Sequence, residues 1–415
     1  MPDASPQRDE DHKTFQNQEN RQMNGHDLTT PQGRPGLSRR AVLKAAAAGA
    51  AVLTTPALIR QAHAAASTVR IMGVETAALN DWSSFEKETG LKVEFTGINS
   101  DPGIFRQEVV ANAAGERIDI FLMDGGIEDE LGAKGFFAPI DPAKVKGWSE
   151  APAAVMNSPL AQGPDGKQYG MPVVMNADSF AYYPEVIGEE EPLSYALLFE
   201  SDKTLGKVAL ENTWLTSLPM AATYLKVAGK QAIGDPSNMT PEEAKAVVDF
   251  LIARKKAGQF RALWSTFEES IDLMARKEVV AINCWEPAVK ELRKQGKDVR
   301  YAFTKEGYNK WMICAYVPKE AATGGRAEVV AKALSGFLGG AYAAQIAVLR
   351  GYATANAKAG LAYAEAQKMS AEDIESIKAN IAKIEKKFAA PLFWQNAAPT
   401  NLQAIEAEWE RFRQA

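Results

Sequence analysis

Histidine is almost missing from this chain. Of 415 residues only His12, His26 and His63 are histidine, and all three precede residue 67. Imidazole is the commonest general base and the commonest metal ligand near neutral pH. Its absence from residues 67–415 therefore excludes Ser-His and Cys-His nucleophile chemistry and His-bound zinc there. Cysteine is nearly as scarce, with Cys284 and Cys314 alone and no Cys-x-x-Cys. No Gly-x-x-x-x-Gly-Lys-Ser/Thr occurs, and no Gly-x-Gly-x-x-Gly follows a strand-like run, so nucleotide hydrolysis and dinucleotide binding lack a motif. Carboxylate chemistry, as in a secreted glycoside hydrolase, stays open because acidic residues are plentiful. Nothing in their spacing singles out a pair, and neither enzyme activity, metal nor cofactor is expected.

Long apolar runs are absent too. The longest, Ala45 to Ile59, is interrupted by Pro56 and falls short of the ~20 residues of a spanning helix, so no membrane span is expected. It follows Ser38-Arg39-Arg40-Ala41-Val42-Leu43-Lys44, a twin-arginine motif, and precedes small residues at Ala62, Ala64, Ala65 and Ala66. Residues 1–66 thus read as a polar leader and an export signal cleaved near 64–66, and the mature protein as periplasmic. No cysteine follows the apolar run to take a lipid anchor. That leader holds eight Lys/Arg and six Asp/Glu, leaving 39 against 46 and a net charge of −7 in the remainder. Such a balance argues against nucleic acid and anionic membranes as partners. In an oxidising compartment the two cysteines admit either a disulfide or two separate buried thiols.

What is present is an α/β alternation. Thr68–Met72, Leu91–Phe95 and Ile118–Met123 read as strands, with helices over Asp81–Glu88 and Ile104–Ala114 between them. This pattern predicts mostly parallel sheets, with ligands beyond the strand carboxyl ends. Extended runs at Gly170–Tyr183 and Trp311–Val317 predict two crossings between two lobes. One lobe comprises 67–175 with about 313–355, the other 176–312 with about 356–415. Lys207–Leu210 is a strand, and Glu211-Asn212-Thr213-Trp214 starts the next helix. Thr240, Pro241 and Glu243 form a capping box for a helix ending at Gly258. Val279–Trp285 is a buried strand delivering Trp285 and Glu286 to its end. Val329–Leu349 reads as one helix, and Ile374, Ile377, Ile381 and Ile384 as the stripe of another. On the second crossing Trp311, Ile313 and Ala315 share a face. Trp311 is either a core tryptophan or part of an inter-lobe cleft.

Five short motifs, in this order, resemble the periplasmic spermidine/putrescine-binding proteins of ABC importers: Tyr169-Gly-Met-Pro, Ala281-Ile-Asn-Cys-Trp285, Lys305-Glu-Gly-Tyr-Asn-Lys-Trp311-Met, Gly351-Tyr352-Ala-Thr-Ala-Asn356 and Trp394-Gln395-Asn396. The resemblance implies a two-lobed, type II-like binding protein that works as a monomer and hands a small-molecule solute to an inner-membrane permease. It also implies Trp285, Trp311, Tyr352 and Gln395 as ligand contacts. The chain departs from that family at Ile313, where a polyamine binder carries an aspartate, and the loops at Gly73–Thr76 and Gly125–Gly126 lack its aromatics. Glu75, Asp124, Glu211 and Glu286 offer counter-charges for an ammonium, with Trp214 beside Glu211; each carboxylate also admits a solvated or capping role. The expected solute is amine-bearing, polyamine-like or otherwise cationic or zwitterionic. The alternative is an anionic or amino-acid-like carboxylate held by Asn and Thr side chains and helix N-termini.

Overall fold

The computed structural model describes residues 67–98, 100–112, 117–390 and 392–415; the leader and export signal read from residues 1–66 lie outside them. Strands β1 (Thr68–Val74), β2 (Lys92–Ile98) and β3 (Ile120–Asp124) alternate with helices α1 (Ser83–Thr89) and α2 (Pro102–Ala111). β1 pairs parallel with both β2 and β3. Helix α1 stops where Gly90 turns left-handed at φ 70°, a conformation that glycine adopts without strain. Helix α2 starts behind Asp101, whose carboxylate accepts from the Ile104 N–H, with Pro102 where no N–H is needed.

Two crossing strands, β4 (Gly170–Asp178) and β10 (Tyr308–Tyr316), run antiparallel beside each other. With β11 (Ala353–Thr354) and β12 (Leu392–Trp394) they complete a seven-stranded sheet ordered β11-β4-β10-β3-β1-β2, with β12 alongside β10. The second sheet, ordered β7-β6-β8-β5-β9, holds β5 (Ala181–Tyr182), β6 (Val208–Glu211), β7 (Phe260–Trp264), β8 (Ala281–Ile282) and β9 (Arg300–Tyr301). The fold is the two-lobed α/β architecture expected, but the sheets are mixed and not mostly parallel. The chain re-enters the first sheet from the second lobe's end, so β10 runs antiparallel to β3 and β4.

Helices α3 (Trp214–Val227), α4 (Pro241–Lys256), α5 (Phe267–Ala275) and α6 (Pro287–Lys294) surround the smaller sheet. The capping box on α4 is formed in both directions between Thr240 and Glu243. α7 (Ala327–Phe337) and α8 (Gly340–Arg350) are two helices bent by 51° where one was expected. Glu88 accepts from the Gly340 and Ala341 N–H groups and so caps a new helix start. A Cβ at Gly340 would lie 2.5 Å from the Cβ of Tyr363, so only glycine lets the next helix pack there.

That next helix, α9 (Ala357–Ala366), and α10 (Ala371–Ala389) differ from the expected domain division. Residues 357–389 pack on the first lobe, because Ala364 and Ile377 share a buried cluster with Ala344 and Ala347 of α8. Only α11 (Leu402–Gln414) returns to the second lobe, where Ile405, Trp409 and Phe412 join the α4 core. The lobe change falls after Asp178 and before Tyr308, since β4 and β10 belong whole to the first sheet. Cys284 and Cys314 are free, buried and in different clusters. Among the described residues no single helix is long and apolar enough to cross a membrane.

Candidate functional site

Alternation along β10 turns Trp311 and Ile313 to one face, and that face lines a cleft of about 680 Å³ walled by residues of both lobes. Trp311 is only 7% exposed. Its Nε1 donates to Asp178 Oδ2 at 2.7 Å, and Tyr352 meets its ring edge-on at 5.0 Å. It is therefore a core residue with one edge on the cleft, uniting the two readings of the sequence. Tyr352 follows Gly351, which ends α8 in left-handed geometry, and its carbonyl accepts from Asn380 of α10 at 2.7 Å.

The β3–β10 register sets Ile313 directly across from Asp124. A carboxylate therefore does stand beside this face, one strand (~4.8 Å) away from where the resemblance would put it. Gln395, just past β12, donates from Nε2 to Asp124 Oδ1 at 3.3 Å and is held by Asn309 at 3.0 Å and by Lys310 O at 2.7 Å. Burial pushes the Asp124 carboxyl up to about 7, against the hydrogen bond from Gln395.

Asp178, which the sequence reading passed over, ends β4 in the same cleft. Besides Trp311 it accepts from Asn176 Nδ2 at 3.2 Å and the Tyr301 hydroxyl at 3.3 Å. Burial raises its carboxyl to about 7 even though the Lys387 charge pulls the other way. The signal was available: a buried extended run ending in an acid is a strand carboxyl end, as Asp124 is.

Opposite, the second lobe contributes Glu211, Trp214 and Trp285. Glu211 closes β6, its N–H held by Asn283 Oδ1 at 2.6 Å and its carboxylate accepting from Thr216 at 2.7 Å. Thr213, not Glu211, caps α3, and Trp214 is the first residue of that helix. Burial pushes Glu211 to about 7 as well. Trp285 stacks on Phe267 at 6.0 Å and meets Trp264 edge-on at 5.7 Å. Trp264 is fixed in turn by its own Nε1 bond to Asn283 O at 2.9 Å. Among the described residues none of Asp124, Asp178 and Glu211 makes an ion pair with a protein cation, and no three His, Cys, Asp or Glu side chains converge as metal ligands would.

Two expected counter-charges are placed differently. Glu75 reaches the cleft rim but is 76% exposed. Glu286 does not line the cleft. It turns toward α10 and pairs with Lys383 at 3.0 Å and Lys387 at 3.1 Å. Burial opposes its ionisation, yet the two ammonium groups outweigh that and hold its carboxyl at about 2. Its partners lie about a hundred residues downstream, so its neighbourhood with Trp285 in sequence was misleading.

The family model described as bacterial extracellular solute-binding protein matches residues 83–400. Among solved structures the chain is similar to a putative spermidine/putrescine ABC transporter protein from Listeria monocytogenes, at 18% identity and TM-score 0.63 over 84% of this chain and 99% of that one. It is also similar to the PBP MotA from A. tumefaciens B6, solved with glucopine, at 18% identity and TM-score 0.58 over 83% and 99%. A third similar structure, the Atu4243-GABA receptor, matches at 18% identity and TM-score 0.57 over 83% and 96%.

Proposed function

Since the chain belongs to the bacterial extracellular solute-binding protein family, whose members bind a small molecule for an ABC permease, we propose that it takes an amine-bearing solute into its inter-lobe cleft and delivers it to an inner-membrane permease. The observation that carries this reading is the set of three buried or half-buried carboxylates, Asp124, Asp178 and Glu211, none of which makes an ion pair with a cation among the described residues. A buried ion is costly unless paired, and an ammonium ion supplies the missing charge. The faces and edges of Trp285, Trp311 and Tyr352 favour the same guest, at ~0.5–2 kcal/mol per desolvated cation–π contact. The similar solved proteins named for spermidine/putrescine, glucopine and GABA span amines and zwitterions and do not fix the solute class. Export by the twin-arginine route to the periplasm, and action as a monomer, complete the proposal.

The test is titration of the mature protein with putrescine, spermidine, glycine betaine, γ-aminobutyrate and the amine-free succinate, followed by isothermal calorimetry and tryptophan fluorescence. An ammonium-bearing compound is expected to bind at least tenfold tighter than succinate and to shift the emission of Trp285 and Trp311. Binding of succinate alone would sink the amine assignment.

A further inference from the structure

The cleft also has a cationic wall residue. Arg350, the last residue of α8, lines it two positions before Tyr352. One guanidinium nitrogen, Nη2, donates to the Ala78 carbonyl at 3.4 Å and stands 3.9 Å from Glu75 Oε2. The Nε is enclosed and has no hydrogen-bond partner. Glu75 is 76% exposed, and a long, solvent-screened pair of that kind contributes little. No ion pair joins Arg350 to Asp124, Asp178 or Glu211, which end β3, β4 and β6. Acid and base are thus kept apart along the lining: Arg350 is followed by Tyr352, whose ring meets Trp311, which donates to Asp178.

A guanidinium in a cleft wall whose ion pair is a long one to the exposed Glu75, and which pairs with none of the three cleft acids, can turn its outer nitrogens to a solute. A guanidinium presents a planar fork of donors that fits a carboxylate in two-point contact. We infer that Arg350 is the carboxylate anchor of this cleft. Resting on the amine reading above, this makes the solute a zwitterion of the amino-acid type, its ammonium toward Asp124, Asp178 and Glu211 and its carboxylate at Arg350. The apolar Ile313 and the ring faces between the poles then receive the methylene chain. An arginine in the last turn also complements the helix dipole, and the experiment separates that role from anchoring.

The measurement compares two probe series that differ only at one end, the ω-amino acids from β-alanine to ε-aminocaproate and the corresponding diamines, by calorimetry on wild type, Arg350→Gln and Arg350→Lys. Wild type is expected to prefer an amino acid to its diamine by tenfold or more. Arg350→Gln is expected to lose roughly 10- to 100-fold on the amino acid and to hold the diamine unchanged or tighter, with Arg350→Lys in between. Retained diamine binding shows the variant to be folded. Equal losses on both series, or a wild type that takes diamines and no amino acid, overturn the anchor. Should succinate bind alone and lose affinity in Arg350→Gln, the anchor stands and the amine reading falls, so the two failures are told apart.

Discussion

Glu286→Gln is expected to lower unfolding stability by about 3–5 kcal/mol, the usual cost of removing one member of a buried ion pair. Glu286 stands at the head of α6 on the second lobe, and its partners Lys383 and Lys387 stand on α10 of the first. The Lys387 side chain is 1% exposed. It also donates to the Ala177 carbonyl at 2.8 Å and lies 4.7 Å from the centre of the Tyr301 ring. Without the carboxylate two ammonium groups remain enclosed with one counter-charge missing. Because the folded carboxyl is held at about 2, below the ~4.3 of a free glutamate, its contribution is full above that value and is lost as pH falls toward 2. Chemical denaturation at pH 7 and pH 3 reads both effects: the variant loses its midpoint at pH 7 and the difference narrows at pH 3. Adding Lys387→Met should recover part of the loss, since apolar replacement of a buried pair is often neutral. A change below 1 kcal/mol at pH 7 would remove the pair from any structural role.

Asp178→Asn acts in the opposite sense on stability and on binding. The folded carboxyls of Asp178 and Asp124 sit at about 7, against ~3.9 in an unfolded chain. The folded state therefore holds protons that the unfolded state releases, and the contribution of these two carboxyls to stability is full below ~4 and is lost as pH rises through 7. An ammonium solute favours the ionised form, so its affinity rises over the same interval and protons leave on binding. Between pH 5.5 and 8 the solute-free melting temperature is expected to fall while amine affinity climbs. Asp178→Asn should be more stable than wild type at pH 8. It should also bind the amine weaker by about 2–5 kcal/mol, ~30-fold to several thousandfold. The amide oxygen still accepts from Trp311 Nε1, so the indole keeps its place. Thermal melts across pH and calorimetry in buffers of different ionisation enthalpy check this; a flat affinity profile from pH 5.5 to 8 would refute it.

Local rules carried the sequence reading a long way. Thr240, Pro241 and Glu243 start their helix as their chemistry dictates, and the apolar run Ile120–Met123, with Asp124 at its end, becomes a fully buried strand. Trp285, Trp311, Tyr352, Gln395, Asp124, Glu211, Trp214 and Ile313 were legible as strand-end and motif residues, and the folded chain brings all of them to one cleft. What failed depended on distant partners. Nothing near Glu286 announces Lys383 and Lys387, and nothing near Arg350 shows that its helix ends at a cleft. The break between α7 and α8 likewise hangs on Glu88, some 250 residues earlier, so an unbroken helical pattern misled. The side to which α9 and α10 belong is a choice between two apolar surfaces, which periodicity alone does not make.

The two lobes line the cleft in nearly equal measure but with different groups. Asp124, Asp178, Trp311, Ile313, Tyr352 and Gln395 are carried by the seven-stranded lobe, while Glu211, Trp214 and Trp285 come from the smaller one. On the proposed function, the seven-stranded lobe offers an arriving solute two of the three carboxylates, and the smaller lobe adds the third together with the indoles of Trp214 and Trp285. As affinity among related complexes varies mostly through dissociation, removing one of those indoles is expected to act on retention: stopped-flow mixing of Trp214→Ala against wild type should show a faster off-rate at a conserved on-rate.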